Sequence, residues 1–152
     1  MGVYVLQKVQ FIPVSLKEAW DFFSHPRNLA KMTPEHLNLK FTNELFGDEM
    51  YPGQIITYKI KPLLGIPMFW LTEITHVKPL EYFVDEQRFG PYSLWHHQHH
   101  FKEVEGGVEM TDIVHYKIPG WIIGTIAHEL YIKQQLEGIF EFRTQRVNEL
   151  FV

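Results

Sequence analysis

The segment Trp95-His96-His97-Gln98-His99-His100-Phe101 holds four of the nine histidines of the chain. On a strand, alternate side chains share a face, so Trp95, His97, His99 and Phe101 stand together, opposite His96, Gln98, His100 and Lys102. The set with the two large rings is the expected inward face. The segment after it divides in the same way, with Met110, Asp112, Val114 and Tyr116 on one side. If Glu105-Gly106 is a two-residue turn, His99 faces Asp112, Trp95 faces Tyr116 and Phe101 faces Met110. Moving the turn to Gly106-Gly107 changes the partners and leaves the faces matched.

Imidazole beside carboxylate supports three kinds of chemistry. The pair can satisfy two buried polar groups, each favouring the charged form of the other. His99, oriented by Asp112, can act as a general base. His-x-His with a carboxylate can also form a facial metal site, but that needs three placed ligands and a hairpin brings two strands into reach. No metal ligands and no cofactor are therefore expected. No nucleophile motif is present, and alternation puts Thr111 on the opposite face.

One strand earlier, Phe83, Asp85, Gln87 and Phe89 alternate similarly, and Trp70 lies on the strand before that. So many polar groups on an inward face imply a cavity holding water or ligand rather than a dry core. Arg143 can reach an inward carboxylate such as Asp85 or anchor an acidic ligand, though an ordinary exposed arginine reads nearly as well. Gly138 either lets the sheet approach, makes room for a ligand, or is a tolerated defect.

These residues need a scaffold. From Pro119-Gly120 to Val152, apolar residues at Ile122, Ile126, Leu130, Leu136, Phe140, Val147 and Phe151 recur at helical steps, with a gap near Lys133 and Thr144. Ile123, Ile132, Ile139 and Phe142 widen that face, and Trp121 to Ile123 read as the helix start or a mobile rim. Strand-like segments cover 54–61, 67–78, 81–89, 93–104 and 108–118, joined by short connections that favour an antiparallel meander.

Near the N-terminus, Val3, Val5, Val9 and Phe11 alternate with Tyr4, Lys8 and Gln10, a strand whose valine face is expected inside. Ser15 and Glu18 form a capping-box pattern opening a short helix, and Pro26 and Thr33-Pro34 fit further helical turns. Leu39 and Phe41 are placed in a second strand, with Gly47-Asp48 among the breaks that follow. The order is α+β, a long helix laid across a curved antiparallel sheet.

At 152 residues the chain is expected to form one domain, 1–152. A formal charge of −4 with no basic cluster argues against nucleic acid, and the absence of cysteine fits a reducing compartment. No apolar run is long enough to span a bilayer, and no secretory signal is visible, so cytoplasmic placement without stable membrane insertion is expected. Protein partners are left open.

The runs Phe83-x-Asp85-x-Gln87-x-x-Gly90-Pro91, Trp95-x-His97-x-His99-x-Phe101, Met110-x-Asp112-x-Val114-x-Tyr116-x-x-Pro119 and Ile139-Phe140-x-Phe142-Arg143 resemble the ligand-binding members of the SRPBCC superfamily. These are START-like, helix-grip proteins, some of them described as cell-division inhibitors. The resemblance spans nearly the whole chain. It implies a sheet of six to seven strands gripping the C-terminal helix around a cavity. The superfamily holds lipid and sterol carriers, polyketide cyclases and oxygenase domains, so it indicates fold more than function.

The expected function is binding of a small, largely apolar molecule of lipid, polyketide or aromatic type. Trp70, Trp95, Phe101, Met110 and Tyr116 would line the site. Asp85, Gln87, His97, His99, Asp112 and Arg143 would be its polar fixtures. The alternatives are a cyclase- or aromatase-like enzyme using His99 and Asp112, and an interaction module whose cavity is a remnant.

Overall fold

The structure, a computed structural model, describes residues 2–45, 47, 49–63, 65–119 and 126–151. The expected turn at Asp48, the helix start at Gly120–Thr125 and the Trp121–Ile123 rim lie outside these residues.

Seven strands form one antiparallel sheet, in the order β1-β7-β6-β5-β4-β3-β2. They are β1 (Tyr4–Ile12), β2 (Lys40–Phe41), β3 (Ile55–Leu63), β4 (Ile66–Lys78), β5 (Tyr82–Phe89), β6 (Leu94–Val104) and β7 (Gly107–Lys117). Helix α1 (Leu16–Phe23) and two 3₁₀ turns (Pro26–Met32 and Glu35–Leu37) follow β1, and α2 (Ile126–Leu150) follows the sheet. The α+β helix-grip architecture expected from the sequence is what forms. Leu39 lies just outside β2. No helix among the described residues is long and apolar enough to cross a membrane.

Local chemistry explains the joints. Ser15 Oγ accepts from the Glu18 amide at 3.2 Å, and Glu18 Oε2 accepts from the Ser15 amide at 3.0 Å, closing the capping box that starts α1. The β6–β7 turn is Glu105-Gly106, with Gly106 at φ 81°, where glycine has no Cβ penalty. A Cβ at Gly107 would lie 2.3 Å from the Ile12 carbonyl, so this end of the hairpin approaches β1 too closely for a side chain. Register shifts interrupt the β4–β5 pairing at Leu71/Thr72 and Ile74/His76, irregularities of the kind that bend and twist a strand.

Strand β1 departs from expectation, with its valine face outward. Val3, Val5, Val9 and Phe11 are at least half exposed, while Gln10 and Ile12 are buried and Tyr4 and Leu6 pack on the core. Pairing with β7 decides this, because Tyr4, Leu6 and Gln10 lie opposite the inward Tyr116, Val114 and Met110. Gln10 Nε2 then donates to the Thr144 carbonyl at 2.9 Å and to Asn148 Oδ1 at 3.0 Å, tying β1 to α2.

The inward stripe of α2 is Ile132, Leu136, Phe140, Arg143 and Val147, in steps of four and three. Leu130, expected on that stripe, is 54% exposed. Gly138 faces open space, with nothing within 4 Å of the point where a Cβ would stand, so neither close packing nor ligand room requires it. Gly138→Ala is expected to raise stability by about 0.5–1 kcal/mol, read as a higher urea midpoint. An unchanged or lower midpoint would show that the glycine has a role.

Buried apolar residues form two clusters. One joins Tyr58, Trp70, Ile74, Tyr92, Trp95 and Tyr116 to Ile132, Leu136 and Phe140 of α2. The other joins Trp20 and Phe23 of α1 to Phe83, Phe101, Met110 and Val147. The polar residues of the hairpin lie at the junction: His99 stacks on Phe83 at 4.0 Å, and His97 stands edge-on to Phe140 at 5.7 Å.

Candidate functional site

The β6–β7 register is the expected one, with His99 opposite Asp112, Trp95 opposite Tyr116 and Phe101 opposite Met110. The side chains slant from those pairs. His97 Nε2 reaches Asp112 Oδ1 at 2.8 Å, and His99 Nε2 reaches Asp85 Oδ2 at 2.6 Å. Asp85 comes from β5, where it pairs with His97. His99 Nδ1 lies 3.2 Å from Asp112 Oδ1, off-line for a hydrogen bond but within ion-pair range. Arg143 brings its guanidinium from α2 to 4.0 Å from Asp112, with the side chain 11% exposed. It also lies over the rings of Phe23 and Phe140.

The charges follow from these contacts. Burial would raise Asp112, but Arg143 and then the two histidines hold it well below the usual carboxylate range. Asp85 is lowered too: burial pushes it up, and His97, His99 and Arg143 outweigh that. For His99, burial works against the charged form and the two carboxylates overcome it, so its pKa is raised. For His97, burial and the neighbouring His99 win and the pKa is lowered. The two rings stack with centroids 3.7 Å apart, a distance at which two positive charges repel strongly. These directions favour two carboxylates, one imidazolium on His99, one guanidinium and a neutral His97, a set whose charges balance.

The histidines give stability opposite pH dependences. His97, lowered in the fold, contributes stability that is full above 6.5 and is lost as pH falls; His99, raised, contributes stability that is full below 6.5 and is lost as pH rises. Urea stability is expected to peak between about pH 6 and 7 and to lose its alkaline decline in His99→Gln. A steady rise across the alkaline range in both proteins would contradict this assignment.

The cluster borders a cavity of about 160 Å³ between the sheet and α2. Trp70, Asp85, Trp95, His97, His99 and Arg143 line it, with Tyr58, Tyr92, Leu136, Ile139 and Phe140. Burial raises the Tyr58 and Tyr92 hydroxyls, so both stay neutral. Five expected lining residues fall elsewhere. Phe101 and Met110 pack in the cluster around Trp20, beyond the end of the cavity. Tyr116 stacks on Tyr4 at 5.5 Å, and Asp112 lies behind the histidines, as their support.

Gln87 turns to its own loop: Nε2 donates to the Tyr92 carbonyl at 2.6 Å, and Oε1 accepts from the Tyr92 amide at 3.0 Å. Sequence reasoning did not single out Tyr58, Tyr92 or Phe140 for the site; the even-numbered alternation of β3 from Ile56 through Tyr58 to Ile60 is the signal that marks the first of them. On the outer face, Glu86, His96, Gln98 and His100 form a hydrogen-bonded row.

The third strand also changes the metal question. Asp85 of β5 and His97 and His99 of β6 each bring a ligand atom within 4.8 Å of the others, so β5 adds a ligand that the β6–β7 hairpin alone does not hold. The carboxylates are already balanced, and Arg143 places a fixed positive charge on the same cavity. Elemental analysis of tag-free protein is expected to give metal near zero per chain. A value near one would assign those three residues as ligands.

No family model and no curated protein matches the sequence. Solved structures do match along their whole length. The ginseng major latex-like protein 151 from Panax ginseng aligns with TM-score 0.70 at 11% identity, covering 99% of this chain and 98% of its own. Protein CV1439 from Chromobacterium violaceum gives 0.70 at 13%, covering 97% of each chain. Protein Ms6760 from Mycobacterium smegmatis gives 0.63 at 18%, covering 99% and 94%. Identities this low carry fold and not activity. The curved seven-stranded sheet closed on the long helix α2, with these neighbours, is the helix-grip fold.

Proposed function

We propose that the protein binds a small, largely apolar molecule in the cavity between the sheet and α2. The observation that carries this reading is the make-up of that cavity: mostly aromatic and aliphatic walls with a few hydrogen-bonding groups, Asp85, His97, His99 and Arg143 among them. A protein built only for stability would fill such a space, because each buried void forfeits packing contacts. An engineered cavity of about 150 Å³ takes up benzene, so a space of this size admits one ring or its equivalent.

A second reading, a cyclase- or aromatase-like enzyme, is favoured by one observation. His97 and His99 line the cavity with pKa values displaced in opposite directions, His97 down by burial and His99 up by its two carboxylates, as an acid–base pair needs. In it His99, read from the sequence as a base, is instead the acid, because Asp85 and Asp112 favour its charged form.

Native mass spectrometry separates the readings. Tag-free protein, incubated with a mixture of small aromatic compounds, is expected to carry one non-covalent adduct that vanishes on denaturation. Recovery of that compound with its mass unchanged supports binding. Recovery of an altered compound favours the enzyme. A protein that takes no adduct from any mixture is an interaction module with a remnant cavity.

A further inference from the structure

Resting on the binding reading above, we infer that the ligand is a single-ring molecule carrying one uncharged hydroxyl, a phenol, whose O–H enters between His97 Nδ1 and Asp85 Oδ2. The argument starts from the proton on His97. Its Nε2 lies 2.8 Å from a carboxylate oxygen of Asp112, and an ionised carboxylate only accepts, so the ring proton is on Nε2. Nδ1 then presents a lone pair. What it faces is Asp85 Oδ2, 3.7 Å away, another acceptor. Two acceptors confront each other on the cavity wall with no hydrogen between them.

Protonating His97 would supply that hydrogen, but His99 already holds a positive charge in a ring stacked 3.7 Å away. A hydrogen donated from within the cavity resolves the conflict at lower cost. The complementary group is also in place. Arg143 Nε is buried without a hydrogen-bond partner, and Arg143 is among the residues lining the same cavity. The site thus offers acceptors for one hydrogen and a donor for one oxygen, and a hydroxyl supplies both.

Charge and size narrow the class. Asp85, Asp112, His99 and Arg143 cancel, so an anionic head would add an unbalanced charge to a buried site and set its oxygens against two acceptors. The remaining walls are rings, Tyr58, Trp70, Tyr92, Trp95 and Phe140 among them, which suit an aromatic face. The volume of about 160 Å³ suits one ring.

Three probes of one ring each test this on the unmodified chain: phenol, its apolar isostere toluene, and benzoate, compared by calorimetric titration. Phenol is expected to bind more tightly than either of the others by about tenfold or more, because a site built to bond a hydroxyl discriminates against the analogue lacking it. Toluene binding as tightly as phenol would overturn the hydroxyl assignment and leave the apolar-cavity reading standing. Benzoate binding most tightly would overturn it in favour of an anion receptor built on Arg143. Failure of all three to bind would overturn both this assignment and the binding reading.

Discussion

Asp112→Ala is expected to destabilise the protein by about 3–5 kcal/mol, the usual cost of removing one partner from a buried charge group. Asp112 is 4% exposed and touches three cationic or donor groups: His97 at 2.8 Å, His99 at 3.2 Å and Arg143 at 4.0 Å. Without it, the imidazolium of His99 and the guanidinium of Arg143 share the single carboxylate of Asp85. His99 would respond by releasing its proton, trading ion-pair energy for a neutral ring. Adding His99→Ala to Asp112→Ala should therefore cost less than the sum of the two singles, by at least about 0.5 kcal/mol in a double-mutant cycle. Urea denaturation supplies the numbers. A loss below about 1 kcal/mol in Asp112→Ala would mean that the cluster is hydrated and does not hold the sheet to α2.

Trp20→Ala should cost as much, about 3–5 kcal/mol, through a different mechanism. Trp20 is 4% exposed and meets Phe83 and Phe101 edge-on at 6.0 Å and 5.4 Å. Its removal opens a void in the cluster that joins α1 to β5, β6 and β7. The polar groups are untouched, and Trp20 does not line the cavity. Stability should fall while affinity for a cavity ligand, measured where the variant is still folded, stays within about threefold. A matching loss of affinity would show that the two clusters form one deformable core.

This contrast shows where the sequence is informative. The β6–β7 hairpin is legible because Trp95, His97, His99 and Phe101 alternate strictly and Gly106 marks the turn, so His99 opposite Asp112 follows from period two alone. Alternation places Trp95 and Phe101 on one face but does not say which borders a void. That depends on where α1 crosses the sheet: Trp20 packs on Phe101, while Trp95, packed on Trp70 and Tyr92, still borders the cavity.

Strand β1 misleads because both of its faces carry apolar residues. Val5 and Val9 compete with Leu6 and Ile12, and only the register with β7 decides. Arg143 appears in the sequence as a break in the apolar stripe of α2. In the fold it continues the stripe, because the Asp112 carboxylate makes a cation acceptable there. The approach of Asp85 to both histidines needs the β5–β6 register, which the Gly90-Pro91 loop sets and the spacing of residues does not reveal. Gln87 keeps the period of its strand yet bonds to Tyr92, the local competition that a face assignment overlooks.

The tryptophans offer the most direct test that a ligand occupies the space between sheet and helix. Trp70 and Trp95 line the cavity, and Trp20 lies in the other cluster. Their indole N–H signals, assigned with single Trp→Phe variants, can be followed in nitrogen–proton correlation spectra during titration with toluene or phenol. The result expected is a saturable shift of the Trp70 and Trp95 signals at a common midpoint, with the Trp20 signal still. Unmoved Trp70 and Trp95 signals at the solubility limit of both compounds, or a shift confined to Trp20, would contradict a ligand site in this cavity.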